Sequence, residues 1–193
     1  MAKKVKIGIK VPTSSELNRR YGNLLINPST QEMPKLWLPS RFLALNYQYG
    51  GGIPFGKILE VMGQSSSGKS LIAYDFAYCT QQLGGHVIWV DAEQSWDNSW
   101  AEQNGIELDK VTLINSTEIE TISDAIADLS ILWRSKLTHN EPILIVVDSI
   151  AAMDCTENIN IKMTDGKAEM GGRAKALYKM FRIRTELLSK LGI

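Results

Sequence analysis

Apolar runs of β type, separated by stretches with helical periodicity, predict an α/β fold: a mostly parallel sheet with helices on both faces. Three observations carry this reading. Residues 143–147, Ile-Leu-Ile-Val-Val, form the uninterrupted apolar run expected of a strand covered on both sides. Residues 87–90, Val-Ile-Trp-Val, form a second run of the same kind. Between them, residues 119–137 place apolar side chains at 119, 122, 126, 129 and 132–133, which is the spacing of one helix face.

The remaining elements follow in order. Residues 1–36 are polar and contain Pro12, Pro28 and Pro34; they read as an N-terminal arm or linker with one short helix around 15–21. Residues 37–193 read as the core. The apolar segment 36–45 is expected to be partly helical and stops at Gly50-Gly51-Gly52-Ile53-Pro54. Residues 57–62 are expected to be a strand, followed by a Gly/Ser-rich turn and a helix over 70–83 that ends at Gly84-Gly85. A short helical piece is expected at 98–104 and a third strand at 111–114. Residues 151–166 lack periodicity and read as a loop, and 168–190 read as a long basic amphipathic helix.

Composition narrows the function classes. The 193 residues are 44% hydrophobic and 22% charged, the balance of a globular domain rather than of a disordered or fibrous chain. No run reaches the roughly 18 apolar residues of a membrane span. The charged start has no signal-type apolar run behind it, so a cytoplasmic protein with no membrane partner is expected. Cys79 and Cys155 fit no metal or redox spacing and read as buried thiols; His86 and His139 are isolated and are assigned no chemistry. The formal net charge is zero, yet it is segregated. Residues 1–41 carry a balance of +6, residues 84–128 one of −9, and residues 162–190 one of +5. Local fields of that size leave a nucleic-acid partner open.

The strongest motif is Gly63-Gln64-Ser65-Ser66-Ser67-Gly68-Lys69-Ser70, a full G-x-x-x-x-G-K-[ST] loop between an expected strand and an expected helix. Glycines let backbone N–H groups and the helix N-terminus wrap a phosphate. Lys69 then reaches the outer phosphates, and Ser70 offers its hydroxyl to Mg²⁺. Such a site needs an acid at the end of a neighbouring strand to hold the metal, and Asp148 follows the run 143–147. Hydrolysis of ATP also needs a group that orients and deprotonates water. Asp91 and Glu93, two apart at the end of the run 87–90, are both geometric candidates.

Five segments together resemble the RecA family of recombinases, most closely its phage UvsX-like members. They are Gly50-Gly51-Gly52-Ile53-Pro54-Phe55-Gly56-Lys57-Ile58, the loop 63–70, Asp91-Ala92-Glu93-Gln94 with Ser99-Trp100-Ala101-Glu102-Gln103-Asn104-Gly105, the run 144–152, and Glu169-Met170-Gly171-Gly172-Arg173-Ala174-Lys175. The resemblance covers residues 37–193, in family order, and implies a RecA-like P-loop NTPase core. By that resemblance Glu93 is the catalytic glutamate and Asp91 a support. Asp97 and Trp100 fall where the family contacts the adenine, Trp standing for the more usual Tyr. The loop 153–172 matches the family's first DNA-binding loop, with Met170 and Gly171 at the base-inserting and phosphate-approaching positions. Gly172 and Arg173 continue the motif, and Lys175 and Arg182 match basic positions that contact the DNA backbone. Helical spacing adds that 175, 179, 182 and 186 share a face, and three of those four are Lys or Arg.

In the family a further core strand ending in Gln, a second DNA-binding loop and basic residues that complete a neighbour's ATP site follow this region. None lies within the 193 residues, so a core incomplete on its C-terminal side, or one served by a complementary C-terminal half, is expected. The function implied is an ATP-dependent recombinase using Mg²⁺, polymerising as a homo-oligomeric filament on single-stranded DNA and promoting strand exchange in recombination and repair. The arm is a candidate polymerisation segment. The alternatives are a non-hydrolysing ATP- or partner-binding module and a RecA-like helicase motor.

Overall fold

The computed structural model describes residues 13–21, 36–160 and 171–193. The chain divides into two units, Met1–Met33 and Pro34–Ile193. In the first, helix α1 (Ser14–Tyr21) lies where the short helix was expected. Thr13 and Glu16 close its first turn: the Glu16 carboxylate accepts from the Thr13 backbone N–H, and the Thr13 hydroxyl accepts from the Glu16 N–H, a capping box.

The second unit holds a small antiparallel ribbon and a parallel sheet. The ribbon pairs β1 (Trp37–Leu38) with β2 (Ile53–Pro54) across helix α2 (Leu43–Tyr49). The segment 36–45, expected to be partly helical, is helical only over its last three residues. Pro39 disfavours helix at the residue before it, and the chain turns helical only from Leu43. Gly52 is required here: its φ is +131°, and a Cβ would lie 2.0 Å from the Leu38 carbonyl oxygen.

The sheet contains three parallel strands among the described residues, in the order β4 (Val111–Ile114), β3 (His86–Asp91), β5 (Ile143–Asp148). Register pairs Asp91 with Asp148, so both acids end adjacent strands at one edge. Helix α3 (Lys69–Gln82) follows the phosphate loop, α4 (Asn98–Gln103) follows β3, and α5 (Ile119–Lys136) joins β4 to β5. A 3-10 turn (Ile150–Ala152) runs into the stretch read as loop and the short helix α6 (Thr156–Ile159) lies inside it, and residues 161–166 of it lie outside the described residues. Helix α7 spans Gly172–Leu191, close to the long basic helix expected over 168–190.

Period-2 alternation divides the core into two layers. Val87 and Trp89 of β3 and Val146 of β5 pack with Tyr74 and Ala77 of α3 and Ala101 of α4. Val90 of β3, on the opposite face, packs with Ile119, Ile122 and Ile126 of α5 and Met180 of α7. Every residue of β3 is buried, as a strand flanked on both sides should be. Cys79 and Cys155 are buried free thiols, and His86 is buried, stacked on Trp133 at 3.5 Å and bonded to the Thr112 hydroxyl.

One expected strand is absent. Residues 57–62 have no strand pairing, and among the described residues no backbone hydrogen bond joins them to any partner. Ile58 is 59% and Met62 81% exposed, while Leu59 packs against Leu38, Phe76 and Cys79. A strand exists only as a member of a ladder, and here the neighbour is missing.

Candidate functional site

The loop 63–70 ends in helix α3, whose N-cap Gly68 has φ +90°, a conformation that frees the backbone to turn tightly into the helix. The first turn of α3 carries no acid that would repel an anion. Residues 63–67 are exposed, and the Lys69 ammonium folds back over the loop, donating to the carbonyls of Gly63 at 3.1 Å and Gln64 at 2.8 Å. Carbonyl contacts of this kind are weak enough to be exchanged for phosphate oxygens.

Two acids from neighbouring strands converge on this loop. The Ser70 hydroxyl donates to Asp148 Oδ2 at 2.7 Å, bringing the last residue of the motif to the end of β5. The Ser149 hydroxyl donates to Glu93 Oε1 at 2.5 Å, and the N–H groups of Ala92 and Glu93 donate to the Asp148 carbonyl at 3.0 and 3.4 Å. Glu93 is exposed at the strand end, whereas Asp91 is buried. The Asp91 carboxylate accepts from the backbone N–H groups of Ser95 and Trp96, at 3.0 and 2.9 Å. It therefore braces the turn that follows β3, while the Glu93 carboxylate stands exposed beside it.

Asp97 caps α4, its Oδ1 accepting from the Trp100 N–H at 2.9 Å, and Trp100 is 50% exposed. A half-exposed indole on a short capped helix is a surface on which a planar ring can stack. Sequence reasoning missed Tyr74. It sits under this region in an aromatic cluster with Trp89 and Trp96, at 4.7 and 5.7 Å between ring centroids. Burial, reinforced by Asp148, Asp91 and Asp97, pushes its phenol up to about 12, so it stays neutral. Its signal in the sequence was only a helix position facing the sheet.

Ser70 and Asp148 bring one hydroxyl and one carboxylate together at the end of the loop, two oxygen donors for a cation that displaces the hydrogen bond. No group of three or more His, Cys, Asp or Glu side chains is clustered among the described residues. That donor set suits Mg²⁺, which keeps most of its waters and shares phosphate oxygens, and does not suit a tight all-protein metal cage.

On α7, Lys175, Lys179, Arg182 and Glu186 are all exposed, as the helical spacing required, with the Arg182 guanidinium 5.8 Å from the centre of the Tyr178 ring. Gly171 is the αL residue that opens this helix, and Gly172 is buried in its first turn. Arg173 is turned inward: its Nη2 donates to the Ile150 carbonyl at 2.9 Å and its Nε is buried without a partner. Arg184 likewise points away from the basic face, holding Ser123 and Asp124 of α5. Met170 lies outside the described residues.

Comparison with known proteins agrees with this architecture. The family model described as the RecA N-terminal domain matches residues 13–192. The chain is similar to Protein RecA of Rhodopirellula baltica, 29% identical over 186 residues, which is 95% of this chain and 47% of that protein. It is similar to Protein RecA of Mycoplasma mobile, 30% identical over 178 residues, 91% of this chain and 51% of that protein. It is also similar to Protein RecA of Synechocystis, 32% identical over 140 residues, 72% of this chain and 37% of that protein. The chain thus spans about half the length, or less, of these curated relatives.

Proposed function

The chain belongs to the RecA family, and on that premise we propose that it is the nucleotide-binding part of an ATP-dependent DNA recombinase. The observation that carries the proposal is the convergence of loop 63–70, Asp148 and Glu93 at one end of the parallel sheet. In doubly wound sheets ligands bind at the carboxyl ends of the strands, and all three groups stand there.

ATP is the substrate. The loop N–H groups and the N-terminus of α3 receive its phosphates, with Lys69 exchanging the Gly63 and Gln64 carbonyls for phosphate oxygens. Ser70 and Asp148 would hold Mg²⁺, which would supply positive charge to the outer phosphates. Glu93 takes the proton of the water that attacks the γ-phosphorus, and ADP departs with the electron pair of the broken bond. The hydroxyl of Ser149 fixes one Glu93 oxygen and leaves the other for the water. Trp100 stacks on the adenine and Asp97 lies beside its amino group.

The partner is single-stranded DNA, met by the basic face of α7 and by the loop that contains Met170 and Gly171. Backbone contacts from Lys175 and Arg182 make binding salt-sensitive and tolerant of sequence. Subunits assemble as a filament in the cytoplasm, the host cytoplasm if the gene belongs to a phage. The motif residues quoted above support the UvsX-like branch and 37–193 as the ATPase core; residues 1–36 are the arm, a candidate polymerisation segment. The test is ATP turnover with and without single-stranded DNA. Stimulation supports the recombinase reading, and its absence in a chain that still binds both ligands overturns it.

A second reading has its own support. The outer edge of β5 has no strand beside it among the described residues, so the site has a wall on one side only. By that reading the 193-residue chain binds ATP without turnover until a complementary C-terminal half joins it. Activity restored by adding that half, and absent without it, distinguishes this from the first reading.

A further inference from the structure

The basic residues of α7 are of two kinds. Lys175, Lys179 and Arg182 stand in solvent, whereas Arg173, the second residue of the helix, is turned inward. Its Nη2 donates to the Ile150 carbonyl at 2.9 Å, and its Nε is buried with no hydrogen-bond partner among the described residues. Its charge also bears on Asp154, whose carboxyl lies below its usual range, chiefly through the Asn158 amide and least through Arg173. A guanidinium held this way gives up water and regains little, which costs stability. The layer where α7 meets the turn at Ile150, with Met153, Ala176 and Leu177, is apolar. An aliphatic side chain would fill that place at lower free-energy cost.

We infer that Arg173 is a positioning residue: through the turn after Asp148 it couples the start of α7 to Glu93, so that DNA bound at α7 steadies the base that serves hydrolysis. What binds at each end is taken from the proposed function, on which the inference rests; the link between the ends is a run of contacts within this chain.

The run starts in the first turn of α7. The Lys175 N–H donates to the Gly171 carbonyl at 3.0 Å, and Arg173 lies between these two residues. A phosphate that engages Gly171 or Lys175 therefore holds Arg173 with the same turn of helix. The Ile150 carbonyl that Arg173 binds also accepts from the Met153 N–H at 3.2 Å, which closes the 3-10 turn. In the same turn the Ser149 carbonyl accepts from the Ala152 N–H at 3.1 Å, and the Ser149 hydroxyl donates to Glu93 Oε1 at 2.5 Å. Fixing the turn fixes Ser149 and, through it, the Glu93 carboxylate. A single 3-10 turn closed by two bonds opens at low free energy, so one bond from a charged donor to its first carbonyl is enough to bias it.

Contact becomes coupling only if a ligand at the helix changes the turn. The test follows amide hydrogen exchange at Ala152 and Met153 by NMR in the full 193-residue chain. It is run with and without saturating oligothymidine and without nucleotide, so the outcome is independent of ATP turnover. Ala101 in α4 and Asn104 at its end, outside the run, serve as the reference. In the parent chain, oligothymidine is expected to slow exchange at 152 and 153 about fivefold more than at the reference amides. Arg173→Met should bind oligothymidine with an affinity within about twofold of the parent and lose that excess. An excess retained in Arg173→Met overturns the inference, as does its absence from a parent chain that has oligothymidine bound. An affinity loss in Arg173→Met as large as that of Lys175→Ala also overturns it, because Arg173 is then a DNA contact. If Arg173→Met does not fold, Arg173→Gln, which keeps a polar head without the charge or the reach, is read by the same criteria. Oligothymidine that binds neither chain overturns the proposed DNA partner as well, a result distinct from binding without a response at the turn.

Discussion

The Ser70 hydroxyl donates to Asp148 Oδ2 at 2.7 Å, although the two residues lie 78 positions apart. One ends the phosphate loop and the other ends β5, so a single hydrogen bond records that the loop and the sheet edge form one site. A metal placed there draws on both groups. Replacing Asp148 by Asn, or Ser70 by Ala, is expected to weaken ATP binding about tenfold or more when Mg²⁺ is present, the size of one bond to a charged group. Without Mg²⁺ the loss should be small. Titration with a fluorescent ATP analogue, with and without the metal, checks this.

On the proposed function, Glu93 is the reacting group and Ser149, which donates to its Oε1, a positioning one. In an active assembly, Glu93→Gln is expected to lower ATP turnover at least a hundredfold while nucleotide affinity changes little. Ser149→Ala should lower kcat roughly tenfold with KM nearly unchanged, since it frees a carboxylate oxygen without removing the base. Ser149→Thr should restore most of the rate. Equal losses in kcat and in binding for Ser149→Ala would assign it to folding instead.

The α7 face predicts a salt signature. Lys175→Ala with Arg182→Ala is expected to lower single-stranded DNA affinity uniformly across sequences and to reduce the salt slope by about 1.4, roughly 0.7 for each phosphate that a removed cation had neutralised. Arg184→Ala should leave the slope unchanged and lower stability, because its guanidinium holds Ser123 and Asp124. Binding isotherms at several salt concentrations decide between the two.

Asp75 anchors the segment before α2 to the phosphate-loop helix. Its carboxylate is fully buried and accepts from the Ser40 hydroxyl at 2.5 Å and from Arg41 Nε at 2.6 Å, with Arg41 also stacked 4.2 Å over Tyr78. Arg41→Met leaves that carboxylate short of its countercharge. Because the guanidinium is 43% exposed, the cost is expected at about 2 kcal/mol, less than for a fully buried pair. Thermal melts should show a fall of several degrees, and an unchanged Tm would contradict the assignment.

His86 makes stability depend on pH. Burial, aided by Lys136, lowers its pKa from 6.5 to about 4. The unfolded chain therefore binds a proton that the folded chain refuses between those values. Stability from this residue is complete above pH 6.5 and is lost progressively as pH falls toward 4, by up to about 3 kcal/mol. His86→Asn should flatten this part of the profile, measured as Tm against pH for the two chains.

Local chemistry and layering were legible in the amino-acid order alone. The loop 63–70, the strand-end acids Glu93 and Asp148, and helices α3, α5 and α7 were readable because each depends on spacing within one short segment. The basic face of α7 was readable for the same reason. Whatever depends on neighbours was settled by the fold. Packing buried Asp91 and left Glu93 exposed, because two backbone N–H groups consume the Asp91 carboxylate. It took Arg173 out of the exposed basic set, because the Ile150 carbonyl holds it. It left residues 57–62 without a ladder, although their composition is that of a strand. A helix satisfies its own backbone, so its pattern is legible in one segment; a strand is satisfied only by the chain beside it, and that neighbour is not written in the strand.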